Sequence, residues 1–190
     1  MASEVGICNL ALSKIGEPPI NSLSESSKAG RECALLYKQT RDEALQDFPW
    51  AFATKRRQLA RTATDPVFGW DHAYQIPTEA LRIIGVHDSE GQDLTRYAIE
   101  GEVLLCDADA VYARYVWRVT DAAKFSPKFV ELVSRLLASK LAIAIADASK
   151  LAEFFQQSYL SYRESLQAED ASSSVPVEEI DFDDFLRARR

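Results

Sequence analysis

The sequence predicts a mainly α (α+β) protein, a helical bundle with a small antiparallel β insertion and an extended C-terminal tail. Three observations point there. Apolar residues recur at helical spacing near both ends of the chain, over about 26–48 and 127–146. Between them a strict alternation of apolar and polar side chains over 111–119 marks a strand. Beyond residue 168 the composition turns to serine, proline and carboxylates, which have little to bury. With 190 residues the chain has the length of one ordinary domain with its own core. That domain is placed at 1–168, with 169–190 as a flexible docking tail.

The first helix is predicted over about 3–15. Ser3 is placed to cap it, Glu4 favours its first turn, and Val5, Cys8, Leu12 and Ile15 recur at helical spacing before Gly16, Pro18 and Pro19 stop it. A polar stretch over 21–27 leads into a second helix, about 26–48. Ala29, Cys33, Leu36, Tyr37, Thr40, Ala44 and Phe48 share one face of it, and Arg31, Glu32, Lys38, Arg41 and Asp42 take the other. Pro49 ends it.

The β-rich insertion follows over about 50–121. Trp50, Phe52 and the basic run Lys55, Arg56, Arg57 precede a turn-rich stretch at 62–69, and 74–86 is β-prone but broken by Pro77. Glu100 and Gly101 sit in a predicted hairpin turn within 97–105. In the strongest strand, Val111, Ala113, Tyr115, Trp117 and Val119 face one way, while Tyr112, Arg114, Val116 and Arg118 face the other.

Helical signals return at Ser126 and Pro127, a cap followed by proline at the first helical position. Phe129, Leu132, Val133, Leu136, Leu137, Leu141 and Ala144 form a broad apolar stripe over 127–146. A last helix over about 150–167, with Leu151, Phe154, Phe155, Tyr159 and Tyr162 on one side, closes a helical hairpin on it. In the tail, the carboxylates Glu178, Glu179, Asp181, Asp183 and Asp184 interleave with Ile180, Phe182, Phe185 and Leu186. Such a segment is suited to ordering on a partner.

Composition narrows the function classes. Lys plus Arg is 22 and Asp plus Glu 29, a formal charge of −7, the wrong sign for a protein that coats DNA. The 47% hydrophobic and 27% charged fractions are globular. Cys8, Cys33 and Cys106 are odd in number and have no C-x-x-C spacing, which favours a reducing compartment over a disulfide framework or a zinc site. The first residues lack the basic and apolar segments of a secretory signal, and Glu131, Arg135 and Lys140 interrupt the most apolar stretch, so no membrane span is expected.

Catalytic signals are thin. The chain has no G-x-S-x-G, H-E-x-x-H, P-loop or G-x-G-x-x-G pattern. His72 and His87, near Asp71 and Asp88, are conceivable metal ligands, but partly exposed structural histidines explain them better. Glu17 with a second carboxylate could form a glycosidase dyad, although a helix-stop turn accounts for it beside two prolines. Cys8 and Cys33 read as buried small hydrophobes. Lys55, Arg56, Arg57 and Arg114 mix charge with aromatics, yet alternation separates Arg114 from Tyr115 and Trp117, unlike a stacking platform for nucleic acid.

Two stretches carry a family resemblance. The run A-L-S-K-I-G-E-P-P-I-N-S-L over 11–23 is followed by a helix ending R-D-E-A-L-Q-D-F-P-W-A-F-A over 41–53. Together they resemble the tail tubular protein A family of tailed bacteriophages, the head-to-tail adaptors. The likeness is concentrated in the first third of the chain. It implies a structural, non-enzymatic adaptor without cofactors, in a ring of twelve copies below the portal protein, located in the virion and before that in the host bacterial cytoplasm. Such a ring extends the DNA channel, lets double-stranded DNA pass without specific binding, and carries the downstream tail or nozzle protein. An acidic wall suits that passage, because it repels phosphates. The resemblance also gives the tail a portal-docking role, with Ile180, Phe182, Phe185 and Leu186 as anchors and Asp183 and Asp184 as steering charges. Two other classes stay open: a virion-associated peptidoglycan-degrading enzyme using Glu17 and a carboxylate of the β region, and a DNA-terminus-binding module using 55–57 and Arg114.

Overall fold

Among the described residues, serine side chains start three of the four α-helices in the same way. The hydroxyls of Ser3, Ser27 and Ser126 accept the amide N–H of Gly6, Gly30 and Phe129 at 3.0, 3.1 and 3.2 Å, satisfying donors that the helix leaves unpaired. The helices so begun are α1 (Glu4–Lys14), α2 (Lys28–Asp47) and α3 (Pro127–Ala144), and α4 (Ser149–Ser173) follows a short link. This computed structural model describes residues 2–173, with side chains for 2–168. The docking residues Ile180, Phe182, Asp183, Asp184, Phe185 and Leu186 lie outside the described residues. α4 continues through 169–173, beyond the predicted helix end at 167 and into the stretch assigned to the tail.

Glycine decides two of the connections. Gly16 has φ 78°, and the N–H groups of Gly16 and Glu17 reach back to Ser13 and Leu12 carbonyls at 3.2 and 3.0 Å, closing α1 with a left-handed turn. At Gly30 a Cβ would stand 2.5 Å from the Glu25 carbonyl oxygen, so only glycine lets the 21–26 loop lie against the first turn of α2.

α3 is the axis of the helical core. Phe129, Leu132, Val133, Leu136, Leu137 and Leu141 are all buried, and α1, α2 and α4 pack around it. Ala138, Ala142, Ser134 and Ser139 keep its surface narrow for the neighbouring helices. The buried Ser139 hydroxyl is satisfied within the helix, donating to the Leu136 carbonyl at 2.7 Å.

The β region is a second structural half and corrects the expected fold class. Sheet A has the order β1-β7-β4 and sheet B the order β2-β3-β6-β5. Their strands are β1 (Thr54–Gln58), β2 (Ala60–Arg61), β3 (His72–Gln75), β4 (Ala80–His87), β5 (Ala98–Glu100), β6 (Val103–Cys106) and β7 (Tyr112–Trp117). All pairings are antiparallel. Between β1 and β2 the chain passes from one sheet to the other at Leu59, which is buried and donates its N–H to Val111 at 2.8 Å. Leu59, Tyr74, Val86, Leu104, Cys106, Val111, Ala113 and Tyr115 form a core of their own. Trp117 packs against both cores.

With about 45% helix and 20% strand, the chain is an α+β protein with two sheets, and the helical bundle with a small β insertion does not describe it. The physical reason lies in the strands. β1 exposes Lys55, Arg56 and Arg57, and β2 has two residues, so neither shows the apolar alternation by which a half-buried strand is recognised. Pro77 separates β3 from β4, which go to different sheets.

Candidate functional site

The segment over 41–53 is the joint between the helices and the sheets. Arg41 is buried within the C-terminal half of α2, and its guanidinium meets Asp42 Oδ1 at 2.7 Å. The other oxygen of Asp42 accepts Arg118 Nε at 2.9 Å, tying α2 to the segment after β7. Pro49 turns the chain, and Trp50 Nε1 donates to the Ala44 carbonyl at 3.0 Å. The Trp50 ring meets the edges of Phe48 and Phe129 with centroids 5.0 and 5.1 Å apart, and Phe52 lies 5.2 Å from Phe129. Phe48, Trp50 and Phe52 thus pack the junction between the helices and the sheets.

The 16–20 stretch is also held by packing and hydrogen bonds. The Asn9 side chain grips Ile20 at both backbone groups, accepting its N–H at 2.9 Å and donating to its carbonyl at 3.0 Å. Sequence reasoning missed Asn9, whose polar position on α1 gave no sign of a partner eleven residues on. Glu17 lines a surface depression with Pro18, Pro19, Ile20 and Glu25, and no carboxylate of the β region is there. The Glu25 carboxylate accepts the Asn21 N–H at 2.9 Å, and this bond, with one from Ser27, holds it below the usual carboxylate range. It is a loop-closing acceptor.

The two histidines stand on different sheets. His72, on sheet B, has Nε2 at 3.3 Å from Asp109, while His87, on sheet A, has Nδ1 at 2.9 Å from Asp93. Asp109 comes from the turn before β7 and Asp93 from the turn that follows β4, and neither partner is the adjacent Asp71 or Asp88. Among the described residues, no group of three or more His, Cys, Asp or Glu side chains is placed to hold a metal. All three cysteines are buried and free. Contact with Cys33 and burial push the Cys8 thiol up, and burial raises Cys106. Both stay protonated and inert.

The basic run divides as alternation requires. Lys55 Nζ sits 3.6 Å over the Trp117 ring, and Arg57 faces Glu79 at 3.8 Å. Arg56 lies on the opposite side of the sheet, across from Arg114.

Large apolar side chains stand in solvent at separate places. Leu35 on α2, Ile143 on α3 and Phe154 on α4 are 70, 62 and 60% exposed. At the tip of the β2–β3 loop, Val67 and Phe68 are 96 and 87% exposed. Pro66 and Gly69 had marked this loop as a turn, and two adjacent apolar residues inside a turn were the available signal for a contact surface. Among the described residues no helix is long and apolar enough to cross a membrane. In comparisons with known proteins, the chain matches no family model and no curated relative.

Proposed function

We propose that this chain is a structural head-to-tail adaptor of a tailed-phage virion. Copies of it form a ring, on the resemblance twelve, between the portal protein and the downstream tail or nozzle protein, and DNA passes through the ring. The observation that carries the reading is the exposure of Leu35, Ile143, Phe154, Val67 and Phe68, the most exposed large apolar side chains among the described residues. Leaving such side chains mostly in water forgoes part of the roughly 1.5–3 kcal/mol that full burial of each brings, and contact with neighbouring subunits would recover it. Support also comes from the 11–23 and 41–53 stretches, whose residues build the α1 loop and the helix–sheet joint. The joint packs the two halves of the chain against each other, which suits a connector that bears load between head and tail.

The mass of the protein in solution tests this, alone and mixed with the cognate portal protein. Small species alone and one discrete large complex on mixing are expected. A chain that stays monomeric at high portal concentration overturns the reading. Truncation after Ser174 tests the docking role of Ile180, Phe182, Asp183, Asp184, Phe185 and Leu186, and is expected to weaken portal binding by at least about tenfold, or 1.4 kcal/mol.

A further inference from the structure

Across sheet A runs a row made by Arg56 of β1, Arg114 of β7 and Gly85 of β4, in direct register. The next row is Gln58, Tyr112 and His87. Both rows occupy the sheet face opposite the one that Ala113 and Tyr115 turn into the second core. Gly85 leaves a space that the His87 ring fills: a Cβ there would stand 3.1 Å from His87 Nε2 and 3.8 Å from Arg114 Nε. With His87 Nδ1 held by Asp93 at 2.9 Å, Nε2 is the nitrogen turned toward this row. A cleft of about 400 Å³, open on one side, is lined by Arg56, His87, Asp88, Ser89, Tyr112 and Arg114.

Like charges directly opposite on paired strands are destabilising. Four other arginines of the β region face carboxylates, Arg57 with Glu79, Arg61 with Asp65, Arg96 with Asp107 and Arg118 with Asp42, and Arg82 donates to the Gln46 carbonyl at 2.8 Å. Arg56 and Arg114 have no carboxylate within ion-pair distance among the described residues, and Arg114 Nε is buried without a hydrogen-bond partner there. Asp88 borders the cleft, but its Oδ1 accepts the N–H groups of Glu90 and Gln92, both at 2.9 Å, and so closes the turn.

We propose that this cleft binds a phosphate group between the guanidinium forks of Arg56 and Arg114. A tetrahedral anion offers three or four oxygens, enough for two forks from different strands and for the Tyr112 and Ser89 hydroxyls. A carboxylate offers only two oxygens, fewer than the two forks and two hydroxyls here can engage. The shared chemistry is the phosphoryl oxyanion, supplied either as free phosphate or as the phosphodiester of duplex DNA. The proposal does not depend on the adaptor reading, and its test uses the full chain without portal, so each can fail alone.

Calorimetric titration with inorganic phosphate, at ionic strength held constant with chloride, is the test. Saturable binding is expected, weakened at least about tenfold in Arg56→Gln/Arg114→Gln and unchanged in Lys38→Gln, which removes an exposed charge from α2. Arg56→Gln alone, on an exposed position, gives a variant that folds. Without phosphate its thermal midpoint is expected to rise, because the repulsion is gone, and phosphate is expected to stabilise it less than the parent chain. A purely structural arginine pair predicts a fall. Absence of saturable binding, equal loss in Lys38→Gln, or stabilisation no greater than that by chloride overturns the proposal. Displacement of phosphate by a short DNA duplex assigns the site to phosphodiester, and retention of phosphate against excess duplex assigns it to the free anion.

Discussion

Replacing Trp50 measures how firmly the helices and sheets are joined. The indole is buried, donates to the Ala44 carbonyl at 3.0 Å, and meets Phe48 and Phe129 edge-on. Truncating a core tryptophan to alanine costs about 3–5 kcal/mol. That range already contains the lost indole hydrogen bond, worth about 1 kcal/mol net, and the ring-edge contacts at about 0.5–1.5 kcal/mol each. Trp50→Ala is therefore expected to lose about 4 kcal/mol, and Trp50→Phe about 1–2 kcal/mol, since phenylalanine keeps most of the ring contact but leaves the Ala44 carbonyl without its donor. Urea unfolding followed by far-ultraviolet circular dichroism reads both without relying on tryptophan emission. At a slope of roughly 2 kcal/mol per molar, the midpoints fall by about 2 M and by between about 0.5 and 1 M. A loss below about 1 kcal/mol in Trp50→Ala would refute a packed joint. Equal stability of Trp50→Phe and the parent would refute the buried indole bond.

Three further outcomes follow from the same packing. Leu137→Ala, on the fully buried face of α3, is expected to cost about 2–5 kcal/mol in urea, and an unchanged midpoint would place that face outside the core. Asn9→Ala strips both backbone partners from Ile20, so a loss of about 1–3 kcal/mol and faster protease cleavage within 16–26 are expected. Burial works against ionisation of Glu131, but Lys14 at 3.0 Å and Arg135 at 2.8 Å outweigh it and hold the carboxyl below its ordinary range. A depressed folded-state value means that the contribution is present above the unfolded-state value and is lost as pH falls through the folded one. Thermal midpoints should then drop in acid for the parent chain, while Glu131→Gln starts lower at neutral pH and has the flatter acid limb.

The helices were legible because each carries several independent marks. Ser3 and Ser126 are cap residues, Pro49 and Gly16 are stops, and the α3 stripe repeats with little interruption. The hairpin at Glu100 and Gly101 was legible for a similar reason, since Gly101 takes φ 59°. The two-sheet architecture was not. β1 is held by pairing to β7 along a strand whose own side chains are basic, and the chain changes sheets at Leu59 with no proline or glycine to mark the break. Of the surface features, alternation was enough to put Arg114 opposite to Tyr115. It could not show that Arg56 arrives beside it, because register is set by β1–β7 pairing across more than fifty residues.

Net charge and local charge pull in opposite directions on this chain, and salt separates them. The −7 total repels DNA over distances that salt shortens to about 8 Å at physiological strength, whereas Arg56 and Arg114 act at contact. Two arginines neutralise at most two phosphates per chain, so the logarithm of DNA affinity should fall against the logarithm of salt with a slope of about −1.8. Between about 50 and 200 mM salt that is roughly a twelvefold loss, against about a thousandfold or more for proteins that grip six to ten phosphates. So shallow a dependence describes a contact that DNA can make and leave, compatible with passage through a ring. Fluorescence anisotropy of a short labelled duplex on the isolated chain measures the slope, and Arg56→Gln/Arg114→Gln should bring it close to zero. A slope steeper than about −4, or one untouched by the double substitution, would place DNA contact on a broad basic surface elsewhere and refute the cleft as its origin.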